Sequence, residues 1–180
     1  MVNAAAPREA EALELRVWEA LATVRDPEIP PISITDLGVV DRVTVTEGVV
    51  EVALLPTFSG CPALDVIREE SHRAVRRVAG DRAVEVRFVY SPPWTSDRIT
   101  PEGREALRSY GLTPPPAAGS GIAFVPLASL SRSTRGATCP FCGSEDTVLE
   151  SGFGPTLCRS THFCRACRNP FEAFKPKSAS

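Results

Sequence analysis

Two hydrophobic periods alternate along the first half of the chain. Leu13, Val17, Leu21 and Val24 recur at intervals of three or four residues with Glu and Arg between them, which predicts an amphipathic helix from Glu9 to Val24 with one buried stripe. Asp26-Pro27 stops it, because a residue before proline is pushed out of the helical region, and Pro30-Pro31 keep the next stretch extended. A period of two then takes over. Val43 and Val45 precede Val50, Val52 and Leu54, with Glu47-Gly48 between them as a hairpin turn. Helical spacing returns with Leu64, Ile67, Ala74/Val75 and Val78, and Val84, Val86, Phe88 and Tyr90 alternate as a third strand. The order α-β-β-α-β predicts an α+β sandwich, two helices over one face of a small three-stranded sheet. Thr100-Pro101 opens a short helix to about Tyr110, with Thr at the N-cap and Pro at the first helical position. Trp94, in the loop before it, reads as a packing anchor.

Composition adds a division of the chain. Of 180 residues 17 are proline, and seven of these fall between Ser91 and Pro126. A first domain over 9–112, a Pro/Gly/Ser-rich linker over 113–136 and a small C-terminal domain over 137–177 are expected. Within the linker, Ile122-Ala123-Phe124-Val125 is apolar enough to dock onto another surface. Residues 1–131 hold 13 Lys/Arg against 18 Asp/Glu, and the remainder 7 against 4. So mild a basic bias falls far short of a nucleic-acid binder's stripe. No basic, then apolar, leader opens the chain and no run of 18 apolar residues occurs, so a cytoplasmic protein without a membrane span is expected.

Candidate chemistry sits at three places. Thr57-Phe58-Ser59-Gly60-Cys61-Pro62 reads as a tight loop between strand and helix, with Pro62 at the first helical position and Cys61 at the N-cap. Unpaired N–H groups there favour a thiolate; an inert, buried cysteine is the alternative. Asp26 and Glu28 share a stiff loop, where they either terminate the helix as exposed carboxylates or steer a metal or partner. Cys139-Pro140-Phe141-Cys142-Gly143 and Cys164-Arg165-Ala166-Cys167 form two C-x-x-C knuckles, each able to aim two sulfurs at one ion. Together they predict a zinc ribbon, with Gly143 in the left-handed position of its turn. The same thiolates would also hold iron or an Fe–S cluster. Four protein ligands leave no open coordination position, so the role is structural or interactive. Cys158 is either an alternative ligand, a mobile second thiol or a buried ribbon cysteine, and His162 either supports a ligand or lies at the surface.

Asp26-Pro27-Glu28-Ile29-Pro30, Asp36-Leu37-Gly38 and Thr57-x-x-Gly60-Cys61-Pro62 resemble the small iron–sulfur-assembly domain family that includes SufT. Ser91-Pro92-Pro93-Trp94-Thr95, Cys139-Pro140-x-Cys142-Gly143-Ser144, Phe153-Gly154-x-Thr156-x-Cys158 and Pro170-Phe171-x-x-Phe174-Lys175 resemble the D-subunit (PaaD) family of the phenylacetyl-CoA monooxygenase (epoxidase) system. The resemblance implies an accessory role in aerobic phenylacetate degradation, beside a di-iron oxygenase and a flavin and [2Fe–2S] reductase. This chain carries neither a G-x-G-x-x-G fingerprint nor a pair of Glu-x-x-His motifs, so it fits neither of those jobs. What remains is maturation: a Cys61 thiolate flanked by Asp26, Glu28 and Asp36 holds iron or an Fe–S cluster transiently while the zinc ribbon docks a client, foremost the reductase. The implied partners are the monooxygenase components, with a homodimer left open and neither nucleic acid nor membrane among them. Two other classes compete: a redox or nucleophilic enzyme built on Cys61, and a zinc-ribbon nucleic-acid module.

Overall fold

The computed structural model describes residues 5–116 and 137–175, with side chains from residue 8 onward. The docking stretch Ile122–Val125 and most of the expected linker therefore lie outside the described residues. The chain gathers into two compact units, one built from the described residues up to Pro56 and from Pro62–Trp94, the other from Thr57–Cys61 and the described residues from Thr95 on.

In the first unit helix α1 (Ala5–Ala22) buries Leu13, Val17 and Leu21, the expected stripe. Each such side chain contributes roughly 1.5–3 kcal/mol when withdrawn from water. Further along, Arg25–Asp26 (β1) and Ile29–Ser33 (β2) precede β3 (Val40–Val45) and β4 (Val49–Leu54). Strands β3 and β4 form the expected hairpin, in register Val43↔Val52. Helix α2 (Leu64–Arg76) then crosses over, and β5 (Ala83–Phe88) joins parallel to β4, in register Val52↔Val86. The sheet order is β3-β4-β5. Helix α1 packs on β3, α2 on β5, and the helices on each other, so the buried residues of central β4 lie in a two-layer α+β core.

Two features depart from expectation. Strands β1 and β2 pair as a two-stranded sheet where a plain acidic loop was read. Proline lacks only the donor, so Pro30 and Pro31 are tolerated on an isolated edge strand. Within that hairpin Asp26 is buried, and its Oδ1 accepts hydrogen bonds from the N–H groups of Glu28 (2.8 Å) and Ile29 (3.1 Å). It therefore closes the turn instead of standing exposed as a helix terminator.

The second unit contains α3 (Pro101–Ser109), whose N-cap is Thr100 as expected, its side chain accepting from the Gly103 N–H. A four-stranded sheet follows, in the order β6-β9-β8-β7, from β6 (Leu112–Thr113), β7 (Thr147–Ser151), β8 (Arg159–Cys164) and β9 (Pro170–Phe174). Strand β6 is the second departure, and its two residues straddle the boundary expected between 112 and 113. Leu112 and Thr113 pair with Glu172 and Ala173 of β9, and the Thr113 hydroxyl donates to the Thr138 carbonyl at 2.7 Å. The last residue of the expected first domain and the first of the expected linker thus complete the sheet of the C-terminal one.

Trp94 is fully buried in the first unit, and its indole N–H donates to the Leu37 carbonyl at 2.9 Å. Trp94→Phe removes that donor and leaves a cavity, and is expected to cost roughly 2–4 kcal/mol. Urea unfolding followed by far-ultraviolet circular dichroism measures it; an unchanged midpoint contradicts the anchoring role.

Candidate metal centre

The two knuckles are built alike. The N–H of Gly143 bonds to the Cys139 carbonyl (3.0 Å), as that of Arg168 bonds to Cys164 (2.8 Å). The Cys139 N–H reaches the Ser144 carbonyl (2.9 Å), as that of Cys164 reaches Asn169 (3.0 Å). In each, the residue after the second cysteine is left-handed: Gly143 at φ +72° and Arg168 at φ +61°. Sequence reasoning found the glycine and missed the arginine, since a non-glycine residue gives no signal for that conformation.

The turns bring Cys139, Cys142, Cys164 and Cys167 together, with all four sulfurs within 4.8 Å of one another. Cys139 and Cys167 stand 3.7 Å apart and Cys142 and Cys164 3.6 Å. A tetrahedron with metal–sulfur bonds of about 2.3 Å has edges of about 3.8 Å, so the donor set fits a single thiophilic ion. Cys139 and Cys164 are buried against Phe171, whereas Cys142 faces solvent. As free thiols, Cys142 and Cys167 are shifted in opposite directions. For Cys142 the backbone N–H of Ser144 pulls downward, but burial and hydrogen bonds with the other three sulfurs push it up to about 12. Cys167 is lowered to about 7, first by the Asn169 N–H. The Asn169 side-chain amide also points at the Cys167 sulfur, 3.6 Å away. Four adjacent thiolates need a cation, and a divalent ion supplies it.

Cys158 stands outside this set. Its sulfur lies 3.2 Å from the Thr156 hydroxyl, its carbonyl accepts from the Lys175 N–H, and it is half-buried. The reading of Cys158 as an alternative ligand therefore finds no place in this geometry. His162 is buried, neither surface nor bonded to a ligand. Its ring stacks on Phe171, Nδ1 accepts from the Ala137 N–H at 3.3 Å, and Nε2 meets the Ser160 hydroxyl at 2.9 Å. Burial lowers its pKa, so the ring is held neutral.

Cys61 is half-buried, but it is not the N-cap. Ala63 occupies that position, and the first helical bond runs from the Ile67 N–H to the Ala63 carbonyl. The residue before Pro62 disfavours helical angles, so the chain makes a further turn before α2 starts, and Cys61 sits two residues ahead of the cap. The helix-terminus argument for its thiolate fails with it. In the second unit the Cys61 loop meets the ribbon, where Leu157 Cδ1 lies 3.5 Å from the Cβ position of Gly60. The carboxylates have local duties: Asp36 Oδ2 accepts from the Ser33 hydroxyl at 2.6 Å, as Asp26 holds its own turn. Among the described residues, the four knuckle cysteines are the one group with metal-ligand spacing.

Comparison with known proteins matches two separate stretches of the chain. Residues 14–88 match the family model described as iron-sulfur cluster assembly protein, and residues 125–175 match the PaaD zinc beta ribbon domain. An Escherichia coli K12 protein, described as the D subunit of a putative 1,2-phenylacetyl-CoA epoxidase, is 41% identical over 160 residues, covering 88% of this chain and 90% of its own length. The Fe-S protein maturation auxiliary factor YitW of Bacillus subtilis is 34% identical over 98 residues, 54% of this chain and 95% of that one. A crystal structure of a DUF59 domain from Bacillus anthracis superimposes with a TM-score of 0.52 at 28% identity, over 56% of this chain and 96% of that one.

The pseudo-symmetry of the knuckles makes unequal demands on their left-handed residues. A Cβ on Gly143 meets nothing within 4 Å, so Gly143→Ala costs conformational strain alone, about 1 kcal/mol. Arg168→Gly relieves the equivalent strain and is expected to stabilise the metal-loaded second unit by up to about 1 kcal/mol. Thermal unfolding of both variants checks the opposite signs.

Proposed function

The chain belongs to the D-subunit family of the phenylacetyl-CoA epoxidase system, and on that premise we propose that it is a maturation factor which helps place iron or an Fe–S cluster in a component of that oxygenase system. The observation that carries this reading is the pairing, in one chain, of an iron–sulfur-assembly domain with a four-cysteine ribbon. An accessory role follows from the relatives; the transfer step and the client, foremost the Fe–S reductase, are the proposal.

The work is divided between two kinds of thiol. The knuckle sulfurs hold a resident ion, zinc in this reading, which fills all four positions with protein ligands and fixes a client-docking surface. Cys61, left out of that set and half-buried, supplies a single soft donor. One thiolate grips iron or a cluster weakly enough to release it, which suits cargo better than a resident cofactor. Asp26, Glu28 and Asp36 are the proposed carboxylate complement, with Asp26 and Asp36 also ordering their own turns. A Cys61 nucleophile enzyme finds no ready histidine base: both ring nitrogens of His162 are engaged, and His72 is exposed on α2. No helix among the described residues is long and apolar enough to cross a membrane.

Cys61→Ser is expected to leave stability within about 1 kcal/mol of the parent, since it alters one atom in a loop. Oxygenase components produced beside that variant should contain normal polypeptides with low iron–sulfur content, read by iron analysis and visible absorbance. Oxygenase turnover reconstituted from purified, fully metal-loaded components should proceed without this protein. A requirement for it at every turnover contradicts maturation and makes the chain a working part of the oxygenase.

A further inference from the structure

Strand β5 lies at one edge of the three-stranded sheet, and none of its six residues is buried. Val84, Val86 and Phe88 are half-buried on the side facing α2; Glu85 and Arg87 are exposed on the other. Beside it, between α2 and the strand, runs a groove of about 330 Å³ lined by Arg68, Glu69, His72, Arg73 and Val86.

The two edges of this sheet are treated differently. Strand β3 carries a register break between Val40 and Arg42, a device that spoils a free edge for pairing. Strand β5 runs in unbroken register with β4 from Val49↔Ala83 to Leu54↔Phe88. The bonds from the Ala83 N–H to the Gly48 carbonyl and from Val89 to Leu54 turn the odd-numbered residues toward β4. Alternate residues of a strand turn opposite ways, so the N–H and C=O groups of Val84, Val86 and Phe88 face the open edge.

We propose that β5 is an interface between two copies of this chain, paired antiparallel about a twofold axis at Val86. The strand reads Ala83-Val84-Glu85-Val86-Arg87-Phe88, which is self-complementary about that point. Val86 meets its counterpart and Val84 meets Phe88, and these become the hydrogen-bonded pairs because their backbone groups face the edge. Glu85 then stands opposite Arg87 of the second copy, twice, at the closer non-hydrogen-bonded positions where cross-strand side chains interact best. Neighbouring registers are penalised. Centring on Glu85 sets Glu against Glu, and centring on Arg87 sets Arg against Arg. This charge complementarity selects a second copy over an unrelated strand, and the result is a continuous six-stranded sheet with isologous symmetry. The interface is independent of the transfer role of Cys61.

Sedimentation velocity of the full-length, metal-loaded chain from micromolar to sub-millimolar concentration tests this. A concentration-dependent monomer–dimer equilibrium is expected. Glu85→Arg, which sets two guanidinium groups opposite each other twice, should raise the dissociation constant about tenfold or more. The double variant E85R/R87E should restore it. A chain that stays monomeric throughout, a dimer indifferent to Glu85→Arg, or a loss that the double variant fails to recover each overturns the proposal.

Discussion

Four sulfurs crowded within 4.8 Å in the turns of one small sheet are a constraint that the second unit satisfies only with a cation among them. As free thiols, Cys167 is lowered, first by the Asn169 N–H and then by its sulfur neighbours, while hydrogen bonds with the other three sulfurs help drive Cys142 up. With a divalent ion all four act as thiolates, and their mutual repulsion becomes coordination energy. The chain around them is arranged accordingly. Cys164 ends β8, the second knuckle turns directly into β9, and β9 carries β6, which is joined to α3 through Gly111 at φ +87°. Cys139 and Cys164 share a buried cluster with Phe171, so two of the four ligands are themselves part of the packing, and loss of the ion is expected to loosen it.

The legible parts of the sequence were those with a period or a cap. The stripe of α1, the β3–β4 hairpin, the Thr100 N-cap and the paired C-x-x-C turns each carry several residues that agree on one conformation. What escaped is short or set by a neighbour. Two residues of β6 are too few to show alternation, and only β9 makes them a strand. The β1–β2 pairing is hidden by Pro30-Pro31, which argue against a ladder unless its partner is as brief as Arg25–Asp26. Cys61 was placed two residues out because Pro62 fits a first helical position in general, while here the helix waits for Ala63. Arg168 could not be read as left-handed, although its counterpart Gly143 could.

These misplacements change the chemical argument more than the fold. Cys61 lies ahead of the helix, Asp26 and Asp36 are bonded within their own turns, and the knuckle cysteines are the one group with metal-ligand spacing among the described residues. In the proposed reading, resident metal and transient cargo are kept apart, the first in a closed set of four thiols and the second at a single thiol in a loop against which the ribbon residue Leu157 packs. Such a division suits the proposed maturation role, in which iron is handled for another polypeptide and not kept.

The dependence of the second unit on its ion is the claim beneath the rest. Hydrogen exchange on the metal-loaded chain, before and after removal of the metal by a strong chelator under reducing conditions, addresses it residue by residue. The account predicts that protection vanishes across β6, β7, β8 and β9 and falls in α3, while α1, α2 and β3–β5 keep theirs. A ribbon sheet that stays fully protected without metal would contradict it.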